Sequence, residues 1–154
     1  MTEIRFYYFE TRPLAAVLYA ALRRDLDNGW RVLVHCIDAK MLNALDDALW
    51  KAEPEGFLPH GRTGEGDDEG QPILLSAGAE PTSGAKLRYF TSGADLQATL
   101  AAAAPPPDTA ILLFDGANEI ARDEARALWA ALKAQGAAPT HWREGDDGEW
   151  TKQR

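Results

Sequence analysis

A single cysteine, Cys36, in 154 residues excludes an intramolecular disulfide and a zinc site built on cysteines. Basic residues are in deficit too, with 16 Lys and Arg against 24 Asp and Glu and a net charge of −8. No overall positive field draws nucleic-acid phosphates, so any direct contact with DNA requires a local patch. Long apolar runs are missing as well. No stretch approaches the roughly 20 residues that cross a bilayer, and the opening MTEIRFYYFETRP lacks the basic start and apolar centre of a signal peptide. Membrane insertion is set aside, and the lone thiol fits a reducing compartment, with the cytoplasm as the expected location.

Motifs that carry chemistry are equally scarce. GRTGEG at 61–66 has glycines for a phosphate cradle but not the Lys-Ser/Thr ending of a P-loop. The first strand-helix junction, after Phe9, has no glycine-rich dinucleotide fingerprint. Glu65, Asp67, Asp68 and Glu69 lack the alternation of a calcium loop and read as mutually repelling carboxylates. His35, His60 and His141 are dispersed, and Cys36 lies in an apolar run without the electropositive setting that makes a thiolate. No catalytic residue, metal ligand set or cofactor is read from these patterns.

The size and composition suit one domain spanning 1–154, with 45% hydrophobic and 26% charged residues. Residues 4–9 are aromatic and β-branched enough for a strand, and Thr11 with Pro13 reads as a helix start. The helix that follows ends at Asn28-Gly29, a left-handed stop. WRVLVHCI at 30–37 has the nearly continuous apolar character of a strand buried on both faces. Asp38 caps the next helix, which ends between 50 and 54. Residues 55–71 read as a long loop anchored by Phe57 and Leu58, and Trp50 and Phe57 serve either as loop anchors or as part of a protein interface. Further strands are expected at 72–76, 86–91 and 110–114, and a helix at 94–104 ahead of the triple proline. A last helix stops at Gly136, and a terminal hairpin turns at Asp147-Gly148. Alternating strands and helices give a three-layer, Rossmann-like α/β domain with a mostly parallel sheet and an antiparallel edge.

The most informative segment is that last helix. At about 100° per residue, Arg122, Arg126, Trp129 and Lys133 fall within roughly 60° of one another. Ala121, Ala125, Leu128 and Leu132 form an apolar stripe about a quarter-turn away. A chain of net charge −8 thus carries a local cationic edge with an aromatic set in it. The plain reading of such a stripe is a solvated helix surface with one Trp across its rim.

A resemblance adds to this. FYYF at 6–9, GWRVLVHC at 29–36, LDDALW at 45–50, FLPHG at 57–61 and GEG at 64–66 occur in an order that resembles the chi subunit family of bacterial DNA polymerase III, and the likeness continues through AILLF, RDEARALWAALKAQG and THW. The resemblance implies a non-enzymatic accessory subunit tied to the clamp loader through the psi subunit. It also implies that the subunit holds the acidic C-terminal tail of single-stranded DNA-binding protein, so that contact with DNA is mainly indirect. By position, Arg126 matches the family's principal cation, Arg122 and Lys133 the flanking basic positions, and Trp129 an aromatic beside them. Arg126 is expected to pair with the tail's terminal carboxylate or a nearby Asp, Arg122 and Lys133 to steer, and Trp129, Leu132 and Phe114 to line the recess for an aromatic end. The chain runs on past THW into REGDDGEWTKQR, an acidic C-terminal extension at 144–154 whose four carboxylates would screen or partly cover the stripe. The competing readings are a small α/β enzyme for a nucleotide or phosphate ligand and a direct single-strand binder. The first needs backbone phosphate contacts, and the second needs basic residues interleaved with several aromatics.

Overall fold

The computed structural model describes residues 2–51, 60–62, 72–77, 85–102, 107–145 and 149–153. In chain order the elements are β1 Glu3–Phe9, α1 Leu14–Asp27, β2 Val32–Cys36, α2 Ala39–Lys51, β3 Gly61–Arg62, β4 Ile73–Ala77, β5 Leu87–Phe90, α3 Gly93–Ala102, β6 Thr109–Asp115, α4 Glu119–Ala134, β7 Thr140–Glu144 and β8 Trp150–Gln153. They form one eight-stranded sheet in the order β3-β4-β2-β5-β6-β1-β7-β8. Every neighbouring pair is parallel except β7 with β8, so the α/β reading with an antiparallel edge holds.

Side chains alternate across the sheet as strand geometry requires. Tyr7 and Phe9 of β1, with Val32, Val34 and Cys36 of β2, pack under α1 and α2. Ile4 and Phe6, with Phe90, Ala110 and Leu112, pack under α3 and α4. All five residues of β2 are buried, the mark of a strand covered on both faces.

Local signals mostly act as read. Asp38 accepts a hydrogen bond from the Met41 amide at 2.8 Å, which caps α2, and Gly29 takes a φ of 81° behind α1. Two expectations are corrected. Thr11 does not cap α1: Pro13 holds the N-cap position in an extended conformation with no side-chain cap, because its fixed φ already sets the entry. The 55–71 segment is not wholly loop either, since Gly61–Arg62 adds a short parallel edge strand to β4. Phe57, Leu58, the 65–69 acidic cluster and the Asp147-Gly148 turn lie outside the described residues.

One consequence of the topology governs the site. The chain leaves β6, runs through α4, and returns as β7 on the far side of β1. α4 therefore lies over the α3/α4 face of β1, opposite Phe6 and Tyr8.

Candidate functional site

α4 starts and stops on side-chain chemistry. The Asn118 carboxamide oxygen accepts from the Ala121 amide at 3.0 Å, and Gly136, at a φ of 87°, turns the chain away where a Cβ would be strained. Ala125, Leu128 and Leu132 are buried, whereas Arg122, Arg126 and Lys133 are exposed. Trp129 lies between the two stripes and is half-buried.

Beside this helix is a cavity of about 600 Å³ between α4, β1, β6, β7 and β8. Phe6, Tyr8, Phe114 and Trp129 supply its aromatic surface, Arg122, Arg126, Lys133 and Lys152 its cations, and Thr140, His141 and Gln153, with Lys152, its far side. The aromatics brace one another edge to face: Phe6 against Trp129 at 5.2 Å, Phe6 against Phe114 at 6.4 Å and Tyr8 against Phe114 at 5.6 Å between centroids. Register explains the set. Phe6 is partnered by Leu112 on one side and His141 on the other, and Tyr8 by Phe114 and Arg143, which brings all of them to the α4 face.

Tyr8 is held on several sides. Gly116 lies so close beneath its ring that a Cβ there would coincide with it. Its hydroxyl donates to Glu10 at 2.7 Å, and the Arg143 guanidinium stands 4.7 Å above the ring centre.

Among the described residues, the cations of α4 have little to hold them elsewhere. Arg126 meets Asp123 at 3.6 Å in a pair where both side chains are exposed, a geometry worth little in water. Lys133 Nζ stands 5.6 Å from the Trp129 ring centre, so that ring meets Phe6 on one side and a cation on another. His141 titrates below its ordinary value, because burial and then Arg143 disfavour the imidazolium. Its Nε2 is buried and makes no hydrogen bond among the described residues. At neutral pH the positive charge of the cavity therefore comes from its Arg and Lys side chains.

Five of the six residues singled out from the sequence, Phe114, Arg122, Arg126, Trp129 and Lys133, come together in this cavity. Leu132 does not. It is 2% exposed, packs in the core with Phe6 and Leu112, and belongs to the apolar stripe that faces the sheet. The residues missed were Phe6, Tyr8 and His141. Their only sequence signal was the alternation within FYYF and THW, which gains meaning once β1 is known to lie between β6 and β7.

The expectation that the extension covers the stripe is also corrected for the carboxylates described. Glu144 pairs with Arg12, and Glu149 reaches Arg24 of α1, on the opposite side of the sheet from α4. The remaining two acids, Asp146 and Asp147, lie outside the described residues.

Other residues with chemical potential are scattered. Cys36 is fully buried and its thiol is pushed up to about 12, first by burial and then by Asp38 and Asp95. His35 stacks on Phe90 at 4.3 Å in the core. His60 lies 3.2 Å from Asp46 and 4.3 Å from the half-exposed Trp50 ring, ring centre to ring centre in the latter case. Most of GRTGEG lies outside the described residues.

With that geometry in place, the family model described as DNA polymerase III chi subunit, HolC, matches residues 1–140. The chain belongs to this family. Two curated relatives carry the name DNA polymerase III subunit chi. The one from Escherichia coli is 43% identical over 49 residues, 32% of this chain and 33% of the relative. The one from Pseudomonas aeruginosa is 33% identical over 84 residues, 53% of this chain and 58% of the relative. The aligned segments thus span a third and somewhat over half of those relatives. A solved structure, the crystal structure of the E. coli DEAD-box protein SrmB bound to regulator of ribonuclease activity A (RraA), superposes with a TM-score of 0.55 at 15% identity. That alignment covers 100% of this chain and 97% of the other, and it shows a shared fold alone. Against the chi family match, α4 falls inside the matched residues, whereas His141, Arg143 and all of β8 fall beyond them.

Proposed function

We propose that this chain is a non-catalytic subunit of DNA polymerase III that holds the acidic C-terminal tail of single-stranded DNA-binding protein in the α4 cavity. A psi-like partner would tie it to the clamp loader, and contact with DNA would be mainly indirect. The proposed setting is the cytoplasm, in keeping with membership of a replication-subunit family. The observation that carries the reading is the meeting of an aromatic recess with Arg122, Arg126 and Lys133 in a chain whose net charge is −8. A volume of about 600 Å³ accommodates an aromatic side chain together with its terminal carboxylate. Arg126 offers a guanidinium fork to a carboxylate, and the aromatic walls remove the peptide's ring from water. The long-range field of an acidic protein repels an acidic tail, so affinity rests on this patch and weakens as salt screens it.

The enzyme alternative receives less support. In an open α/β sheet a nucleotide sits at the carboxyl ends of the strands. The cleft there is lined by Phe9, Leu14, Met41, Thr91, Asp115 and Glu124, among others, with no cation among its described lining to meet a phosphate.

The test is competition. A fluorescently labelled acidic peptide ending in Phe should bind and be displaced by its unlabelled form, but not by the same peptide ending in Ala, a nucleoside triphosphate or a single-stranded oligonucleotide. Displacement by the oligonucleotide at equal concentration would contradict the reading and favour direct nucleic-acid binding.

A further inference from the structure

Beyond the cavity proper, the α4 face of the sheet carries one more arranged group. On β7 the alternation that puts His141 in the cavity wall puts Arg143 on the same face two residues further on. Arg143 stacks on Tyr8, itself a wall of the cavity, and its Nη2 lies 2.9 Å from Glu10 Oε1. The other Glu10 oxygen accepts from the Tyr8 hydroxyl at 2.7 Å. Arg122 of α4, which lines the cavity, also acts electrostatically on both Glu10 and Tyr8. Arg143 of β7 is therefore a further guanidinium beside the cavity, and it is paired with a carboxylate that belongs to the chain itself.

We propose that Arg143 is a further anchor for the acidic peptide, and that Glu10 is an intramolecular stand-in that a peptide carboxylate displaces from it. The inference rests on the α4 cavity being the peptide site and adds to it a residue and a built-in competitor. Three observations carry it. Glu10 has the hydrogen-bond pattern expected of a bound ligand carboxylate, one oxygen on a guanidinium and one on a phenol. The Arg143–Glu10 pair is solvent-accessible, at 53% and 39% side-chain exposure, so exchanging one carboxylate for another costs little. Tyr8 forms the wall between Arg143 and the aromatic recess. A peptide with its terminal ring in the recess thus runs an upstream acid past Tyr8 toward Arg143. Arg143 lies beyond the residues matched by the family model, so the proposal rests on its geometry here.

The experiment is a double-mutant cycle on affinity for the acidic peptide, using the full chain at about 0.1 M salt. Glu10→Gln removes the competitor and should tighten binding about three- to fivefold, whereas Arg143→Ala should weaken it by a similar factor. In the Arg143→Ala background, Glu10→Gln should lose most of its gain. Asp47→Asn, on the exposed face of α2, gives the same change in net charge and should leave affinity within about twofold. An unchanged or weaker affinity for Glu10→Gln would overturn the proposal, as would an equal gain in both backgrounds, which would mark simple repulsion. Arg126→Ala, measured alongside, separates the two levels. If Arg126→Ala abolishes binding while Glu10 and Arg143 have no effect, the site stands and this proposal falls. If the wild type does not bind, both fall.

Discussion

The indole of Trp129 meets the ring of Phe6 edge-on, with centroids 5.2 Å apart and planes at 82°. One ring belongs to α4 and the other to β1, so this contact fixes the helix to the sheet and sets one wall of the cavity. An aromatic on the shoulder of an amphipathic helix commonly lies flat on solvent-facing side chains. Here the strand order puts a second aromatic opposite it.

Trp129→Ala should therefore register in two measurements. Because the ring is half-buried, its loss should cost about 1–3 kcal/mol in denaturant unfolding, below the range for a fully buried Trp. It should also abolish peptide binding by opening the recess and removing the ring beneath Lys133. Trp129→Phe should restore most of the stability. An alanine variant as stable as the wild type would show that the Phe6 contact does not hold the helix.

His141 makes the site pH-dependent. Its pKa is lowered from 6.5 in the folded chain, so the unfolded chain takes up the proton more readily. Its contribution to stability is complete above the unfolded value and is lost as pH falls through that value toward the folded one. Unfolding free energies between pH 7 and 5 should slope less steeply for His141→Gln than for the wild type. A peptide carboxylate bound beside it would reverse the balance by favouring the imidazolium, so binding should take up protons near pH 6 and lose that uptake in His141→Gln. Equal proton uptake in the two proteins would remove His141 from the peptide's surroundings.

Cys36 should be silent in the native state. With the thiol pushed up to about 12 and fully buried, the thiolate fraction at pH 8 is about one in ten thousand. Labelling by a disulfide reagent should proceed at the rate of unfolding and reach one equivalent only in denaturant. Rapid stoichiometric labelling without denaturant would contradict the packing of β2.

The sequence was legible wherever a signal was local. β2 and β6 appear as apolar runs because both their faces are covered. α4 appears through its 3.6-residue period, and the hairpin of β7 and β8 through its closeness in the chain. What pairs across distance was not legible. Thr11 had the chemistry of a cap, but Pro13 had already set the entry to α1. Two residues of β3 pair with β4 without any apolar pattern to announce them. Phe6, Tyr8 and His141 become cavity residues only because β1 enters between β6 and β7, and no periodicity within a single segment encodes that. Leu132 shows the opposite error: its neighbour Lys133 reaches the rim, but a step of about 100° turns Leu132 into the core.

Arg126 is the residue on which the proposed peptide site most depends. Calorimetry of the acidic C-terminal peptide of the cognate single-stranded DNA-binding protein, at moderate salt, should give micromolar binding to the wild type, about −8 kcal/mol. Arg126→Ala should weaken it at least tenfold with no loss of fold, since the side chain is exposed and its ion pair with Asp123 is weak. Wild-type affinity in the variant, or no binding by the wild type, would contradict the assignment of this cavity to the acidic tail.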